Sequence, residues 1–506
     1  MKVPIQFENA PAVQVTLDIA PVTDRIQRAV QAARSAGKEW AATPFPARRK
    51  IFRRARALMA EQAGPLAEAA NTRRHRPLAE ILTAEVLPLA EACRYLEREA
   101  ERLLRPQKAG RRGRPLWLGG VQSEIHREPH GVVLVIGPGN YPLFLPGVQV
   151  LQALAAGNAV LVKPGFGGTR AAQGLATLLG QAGLDPDLIQ VLPETAEAAK
   201  SAIAHGVDKV VLTGSATTGE AVLGQCAKTL TPATVELSGC DAVFVRADAD
   251  LELVVRALSF GLRLNNSATC IAPRRVLVQR SRATELEGRL AEYFQAGGAA
   301  EVSGFTNPNW LPLVREALNG GAHLLAGSVQ PDGTFHMPLI FAGMNPAMRL
   351  TRADIFAPVL SIISVADDEE ALEIASQCPY ALGATVFSRD EAGARALAAR
   401  IRAGVVVIND LIMPTADPRL PFGGRGRSGF GVTRGAEGLR EMTVPKVITR
   451  RGNQSHRHFD APQAGDAELF TAYIQAAHTR GWRNRWSGFK KLLGALKQRS
   501  IQTKRA

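Results

Sequence analysis

The stretch GVVLVIGPGNYPLFLPGVQVLQALAAGNAVLV, residues 131–162, decides the fold of this 506-residue chain. It carries no charge and exceeds the ~20 apolar residues that a membrane-spanning helix needs. Yet Gly137, Pro138, Gly139, Asn140, Pro142, Pro146 and Gly157 punctuate it. Glycine and proline at such density break one long helix into strand, turn, helix and strand, so a span is excluded.

Downstream the same alternation repeats. Apolar runs at Leu188 to Leu192, Lys209 to Thr213 and Thr234 to Leu237 follow those at Val132 to Ile136 and Ala159 to Val162. Helical stretches separate them, which is the βαβ rhythm of a parallel sheet. Such sheets bind ligands beyond the carboxyl ends of their strands, here Gly137 to Asn140, Lys163-Pro164 and Gly214-Ser215 through Gly219. A second α/β region runs from about 240 to 420, with strands near Val243 to Val245, Arg275 to Val278, Leu360 to Ser364, Ala384 to Phe387 and Val405 to Ile408. Upstream, Ile51, Ala55, Leu58 and Met59, then Ile81, Leu82, Val86, Leu89 and Cys93, recur at helical spacing over 22–104. The basic patch Arg105 to Arg114 reads as a loop.

Composition is that of a globular protein, 46% apolar and 21% charged. Five widely spaced cysteines argue against a disulfide framework and for a reducing compartment. The N-terminus lacks the layout of a signal peptide, so a cytoplasmic location is expected. Net charge is +15, which suits an anionic partner or is simply a solvated basic surface. From Arg480 the tail holds nine basic residues and no acid, with Trp482, Trp486, Phe489, Leu493 and Leu496 near helical spacing. It reads as a basic amphipathic helix lying on a membrane across 480–506, as a helix docked on the protein's own body, or as a disordered tail. No nucleic-acid partner and no metal site are expected.

The pair that points to chemistry is Cys270, within NNSATCIAP (265–273), and Glu236, which closes the run Ala233 to Gly239. A thiol and a carboxylate among small residues suggest a nucleophile and a base. A free cysteine is otherwise a common core filler.

Taken in order, several segments resemble the aldehyde dehydrogenase superfamily: Glu128 to Pro142, Gly157 to Pro164, Thr213-Gly-Ser215 with Gly219, Val235 to Gly239, the Cys270 segment, Asp354 to Pro358, Val407 to Asn409 and Pro421 to Gly424. The wording Asn140-Tyr-Pro and Thr269-Cys-Ile-Ala-Pro is closest to the fatty and aromatic aldehyde dehydrogenase branch. The resemblance implies an α/β fold of two doubly wound parallel-sheet domains and a small bridging hairpin. The cofactor domain would take 1–114 and 131–238, the catalytic domain 239–439, the bridging strands 115–130 and 440–451, and the basic tail 452–506. It implies a homodimer.

It also implies a mechanism. Cys270 would attack the aldehyde, Asn140 and the Cys270 N–H would hold the oxyanion, and Glu236 would activate water to release the acid. NAD or NADP would be held by Gly137, Lys163, Gly214, Ser215, Gly219, Asp354 and Phe356. The substrate is expected to be an apolar, long-chain aldehyde. A coenzyme-A-linked acyl reductase is an alternative, as is a non-catalytic relative that binds membrane or nucleic acid. Departures from the family pattern fall at the cofactor: Gly139 for tryptophan, Phe166 for an acid, Asp354 for glutamate, Ala357 for glycine, and Ser238 and Cys240 for glycine and lysine. The segment from about Ala296 to Asn309 reads as shortened.

Overall fold

The computed structural model describes residues 22–72, 75–297, 309–330, 335–452 and 457–503. Most of the shortened segment, the first 21 residues and the last three lie outside them. The chain forms two bodies, one of 1–107 with 125–447 and one of 108–124 with 448–506.

The first body is built on two sheets. One carries β1 (Val132–Ile136), β2 (Ala159–Lys163), β3 (Ile189–Val191), β4 (Lys209–Gly214) and β5 (Ala233–Leu237). These are mutually parallel, and the short strand Gly429–Phe430 adds antiparallel to β5 at one edge. Every residue of β1 is buried. A central parallel strand is covered on both faces, which is why its sequence is continuously apolar rather than alternating. The helix α1 (Phe144–Ala156) follows β1 and is buried almost all round. It is stopped by Gly157 at φ 98, a left-handed cap that only glycine adopts without strain. Its first N–H groups, those of Leu143 and Phe144, donate to the buried Glu85 carboxylate at 2.8 and 3.2 Å, which satisfies orphan donors at the positive end of the helix. Arg76 pairs with Glu85 in turn.

The other sheet contains β6 (Asp241–Val245), β7 (Pro273–Gln279), β8 (His323–Val329), β9 (Phe335–Ala342), β10 (Val359–Val365), β11 (Gly383–Phe387) and β12 (Val405–Ile408). Their order is β8-β9-β10-β7-β6-β11-β12, parallel except for the β8–β9 pair. The five strands expected from sequence are β6, β7, β10, β11 and β12, each extended by no more than a few residues.

A third, three-stranded sheet has the order Gln107–Ala109, Val121–Pro129, Thr443–Arg451. The first of these strands corrects the reading of the basic patch as a loop. All three of its residues are exposed, so no apolar pattern announces it; backbone pairing alone makes it a strand. In the second body, Asp466–His478 and Trp482–Thr503 are helices that pack on each other. Among the described residues no helix is long and apolar enough to cross a membrane.

Leu230 ends the helix Ala216–Thr229 in the left-handed region, φ 53 and ψ 30, with its side chain 88% exposed. A branched side chain there is strained by about 1–2 kcal/mol and packs against nothing that would repay it. Leu230→Gly is expected to stabilise the protein by about 1 kcal/mol, the strain relieved less the added freedom of the unfolded chain. Thermal unfolding checks it as an upward shift of the midpoint.

Candidate active site

Cys270 stands at the end of a turn that the backbone adopts reluctantly. Asn265, Asn266 and Ser267 have φ of 51°, 51° and 59° in succession. Asparagine tolerates this region, serine less so, and three in a row persist only when neighbours hold them. Groups from three other segments hold them here. Asn265 Nδ2 donates to Asn140 O at 2.9 Å, and its N–H donates to Glu80 Oε1 at 3.1 Å. Arg274, buried at the start of β7, donates from Nη1 to Ser267 Oγ at 2.7 Å and Ala357 O at 2.9 Å, and from Nη2 to Ser267 O at 2.6 Å. Its guanidinium also lies 5.9 Å from the Phe356 ring centroid. One cation thus ties the Cys270 turn to the Asp354–Phe356 loop. Burial lowers its pKa to about 10, so it stays charged at neutral pH.

Glu236 is 3% exposed on β5. In register it faces Thr213 of β4 on one side and Gly429 on the other. A Cβ at Gly429, where φ is +93°, would stand 1.9 Å from Val235 O, so only glycine lets that edge strand close over the base. Gln149 of α1 donates to Thr213 Oγ1 at 2.8 Å. With its lone pair so engaged, the Thr213 hydroxyl is free to donate to Glu236. Burial drives the Glu236 pKa up to about 7, while Arg434, the Cys270 thiol and Thr213 pull the other way. Cys270 is pushed well above the usual thiol value, first by burial and then by the Glu236 and Asp241 carboxylates, with Arg434 opposing. Glu236 Oε1 is buried without a hydrogen-bond partner. Burial thus favours a protonated thiol beside a carboxyl group that titrates near neutrality.

Asn140 is buried beside them. Its Nδ2 donates to Ala268 O at 2.8 Å, and its Oδ1 accepts from Tyr141 N at 3.0 Å. That leaves one amide hydrogen for an oxyanion.

Cys270 lies on the wall between two cavities. One, of about 510 Å³, is mainly apolar, with Tyr141, Phe144, Phe260, Leu264, Ile271 and Phe422 in its lining. The other, of about 490 Å³, is lined by Asn140, Gly214, Ser215, Glu236, Asp354 and Phe356, among others. The structure therefore gathers the predicted catalytic trio and four of the predicted cofactor residues around one thiol.

The remaining three predicted cofactor residues are placed differently. Lys163 ends β2, half-buried, its pKa lowered by burial, and the Glu194 carboxylate lies near enough to oppose that shift. Gly137 donates its N–H to Lys163 O at 2.9 Å, and a Cβ on it would stand 3.1 Å from Pro146, so it shapes the turn. A Cβ on Gly219 would meet Leu237 at 2.8 Å; this glycine lets its helix approach β5. Ser215 caps that helix, accepting from Thr218 N at 3.2 Å.

The second cavity suits a dinucleotide chemically. Asp354 Oδ1 is buried without a partner, as a ribose hydroxyl acceptor would be before its ligand binds. Its pKa is raised by burial, with Ser238 and Arg274 opposing. Gly139, unusual in sequence, has a reason: a Cβ there would stand 2.9 Å from Phe166 O. A Cβ at Gly165 would be 2.2 Å from the Pro138 carbonyl carbon. The 137–140 and 163–168 loops meet backbone to backbone. Among the described residues no His, Cys, Asp and Glu cluster as a metal site requires.

Sequence reasoning missed Gln149, Thr213, Arg274 and Arg434. A signal was present for Arg274, since Arg274-Arg275 opens an otherwise apolar strand, and charge in a buried strand demands a partner.

Comparison with known proteins agrees with this geometry. The aldehyde dehydrogenase family profile matches residues 14–448. Geranial dehydrogenase of Castellaniella defragrans is 33% identical over 430 residues, 82% of this chain and 88% of its own. An NAD-dependent aldehyde dehydrogenase from Sinorhizobium meliloti superposes with a TM-score of 0.79 at 27% identity, covering 87% of this chain and 89% of its own. An NADP-dependent glyceraldehyde-3-phosphate dehydrogenase from Bacillus halodurans, complexed with NADP, gives 0.77 at 28% identity, covering 85% and 92%. The chain belongs to the aldehyde dehydrogenase family, whose members oxidise aldehydes with NAD(P)+.

Proposed function

We propose that this aldehyde dehydrogenase oxidises apolar, long-chain aldehydes to carboxylic acids, as a homodimer in the cytoplasm that gathers substrate at an anionic membrane surface. The observation that carries the reading is the pair of cavities meeting at Cys270. The aromatic and aliphatic one suits an alkyl or prenyl chain, and the polar one suits the cofactor. A relative named for geranial supports the apolar preference.

Cys270 gives its proton to Glu236 and attacks the carbonyl carbon. The remaining Asn140 amide hydrogen and the Cys270 N–H stabilise the oxyanion. NAD(P)+, which Ser215, Lys163, Asp354 and Phe356 would hold, supplies the hydride acceptor. Glu236, having passed the thiol proton to solvent, then takes a proton from water; the hydroxide adds to the thioester carbonyl, and the acid leaves as the Cys270 thiolate departs. Asn140 joins both phases, because its side chain and its carbonyl both brace the Cys270 turn.

The tail supports membrane contact by charge and by exposed rings. Trp482, Trp486, Phe489, Leu493 and Leu496 are exposed on the helix Trp482–Thr503, and Trp486 stacks on Phe489 at 5.6 Å. Arg483, Arg485, Lys490, Lys491 and Lys497 share that helix with no acidic neighbour. Such a helix lies in the interface of an anionic bilayer, held by both terms. The homodimer reading rests on Thr443–Arg451, an edge strand with Val444, Val447 and Ile448 exposed. The cytoplasmic reading rests on five free cysteines.

With a medium-chain aldehyde and NAD+ or NADP+, purified enzyme is expected to form reduced cofactor and free acid; acyl-coenzyme A as the product would overturn the assignment. Cys270→Ala should lower turnover at least ~10³-fold. Glu236→Gln should slow both the burst of reduced cofactor and the turnover that follows it, because the carboxylate is the base for the thiol and later for water. In the wild type kcat should rise through about pH 7 as Glu236 loses its proton, since its pKa is raised to that value.

Truncation after residue 479 is expected to abolish binding to phosphatidylserine vesicles and leave turnover of a soluble aldehyde intact. Binding by the full chain should weaken with salt. Light scattering is expected to give a dimer mass, and Val447→Lys should shift it to the monomer.

A further inference from the structure

Arg434 is a buried guanidinium to which aldehyde oxidation by a cysteine and a glutamate assigns nothing. It precedes the helix Gly435–Glu441 with φ at 65°, a region that arginine seldom adopts. It is 5% exposed. Nη1 donates to Thr415 O at 2.6 Å, and the guanidinium lies 4.1 Å from the Phe422 ring centroid and 5.6 Å from that of Phe144. Nε is buried without a partner. Among the described residues no carboxylate forms an ion pair with it.

A charge so placed is costly. Apolar side chains of similar volume replace buried charges at little or no loss of stability, so packing alone does not account for an arginine here. What it faces does. Arg434 and Cys270 share the wall of the apolar cavity. The two groups whose ionisation its field favours are Glu236 and Cys270. Both are enclosed, and burial opposes the charged form of each. Around Cys270, Glu236 of β5 and Asp241 of β6 oppose the thiolate, while Arg274 of β7 and Arg434 favour it.

We propose that Arg434 is a positioning residue whose fixed charge holds Cys270 as the thiolate and Glu236 as the carboxylate when each must be ionised. The cation stands on the substrate side of the thiol, held rigid by two rings and a carbonyl, so it costs no reorganisation at the moment of attack. The proposal rests on Cys270 being the nucleophile, but its test reads the thiol alone and is independent of which aldehyde is oxidised.

The test is the pH dependence of Cys270 alkylation by iodoacetamide, followed by mass spectrometry on the Cys270 peptide. Removing the cation leaves Glu236 and Asp241 opposed only by Arg274, so the thiol pKa must rise. Arg434→Met is expected to move the alkylation midpoint up by at least about one pH unit, a tenfold loss of thiolate below the midpoint. Arg434→Lys should stay within about half a unit of the wild type, and Phe422→Leu, which loosens the stack but keeps the charge, should not move it. An unmoved midpoint in Arg434→Met would sink the proposal. So would an equal shift in Phe422→Leu, which would make the effect one of packing. Circular dichroism reports folding; if the methionine variant does not fold, Arg434→Gln takes its place with the same expected outcomes.

Discussion

The Arg274 guanidinium is the joint on which the site depends. It binds a turn of three left-handed residues on one side and the Ala357 carbonyl on the other. The turn presents the nucleophile; the loop presents Asp354 and Phe356. Without a planar fork that reaches both, the strained turn would relax, and the two cavities would no longer meet at one sulfur. A lysine could satisfy only part of this geometry, because its donors are a point and not a fork.

The centre is otherwise built on opposition. Burial disfavours the charged form of both reacting groups, and each raises the cost for the other. Neighbouring dipoles and cations reduce that cost without removing it. A carboxyl group near neutrality next to a protonated thiol can accept a proton in one step and withdraw another from water later. A fully exposed glutamate would already be ionised and a weak base. The burial that makes the groups hard to ionise is also what makes them useful.

Much of this was legible in the sequence. The charge-free segment 131–162 read as strand, turn, helix and strand because central parallel strands are apolar throughout and glycine and proline mark their ends. Cys270, Glu236 and Asn140 stood out through their motifs, and the structure brings them together. The supporting cast did not stand out. Gln149 looks like an ordinary helix residue, Thr213 like a strand residue, and Arg434 like surface. Their roles depend on contacts between segments far apart in the chain, such as the 2.8 Å bond from Gln149 to Thr213. The strand Gln107–Ala109 was invisible for the opposite reason: it is wholly exposed and defined by backbone pairing. Gly219 was read for cofactor contact, yet what its missing Cβ admits is the Leu237 side chain.

The meeting of the 137–140 and 163–168 loops has a consequence for how this enzyme can change. Because Gly139 and Gly165 bring peptide against peptide, the floor of the polar cavity there is main chain and cannot be recarved by exchanging a side chain. A larger residue at either glycine must displace a whole loop. Phe166 at the same junction is 66% exposed. Adaptation to a different dinucleotide therefore cannot start from Gly139 or Gly165, which are locked by the shape of the backbone itself.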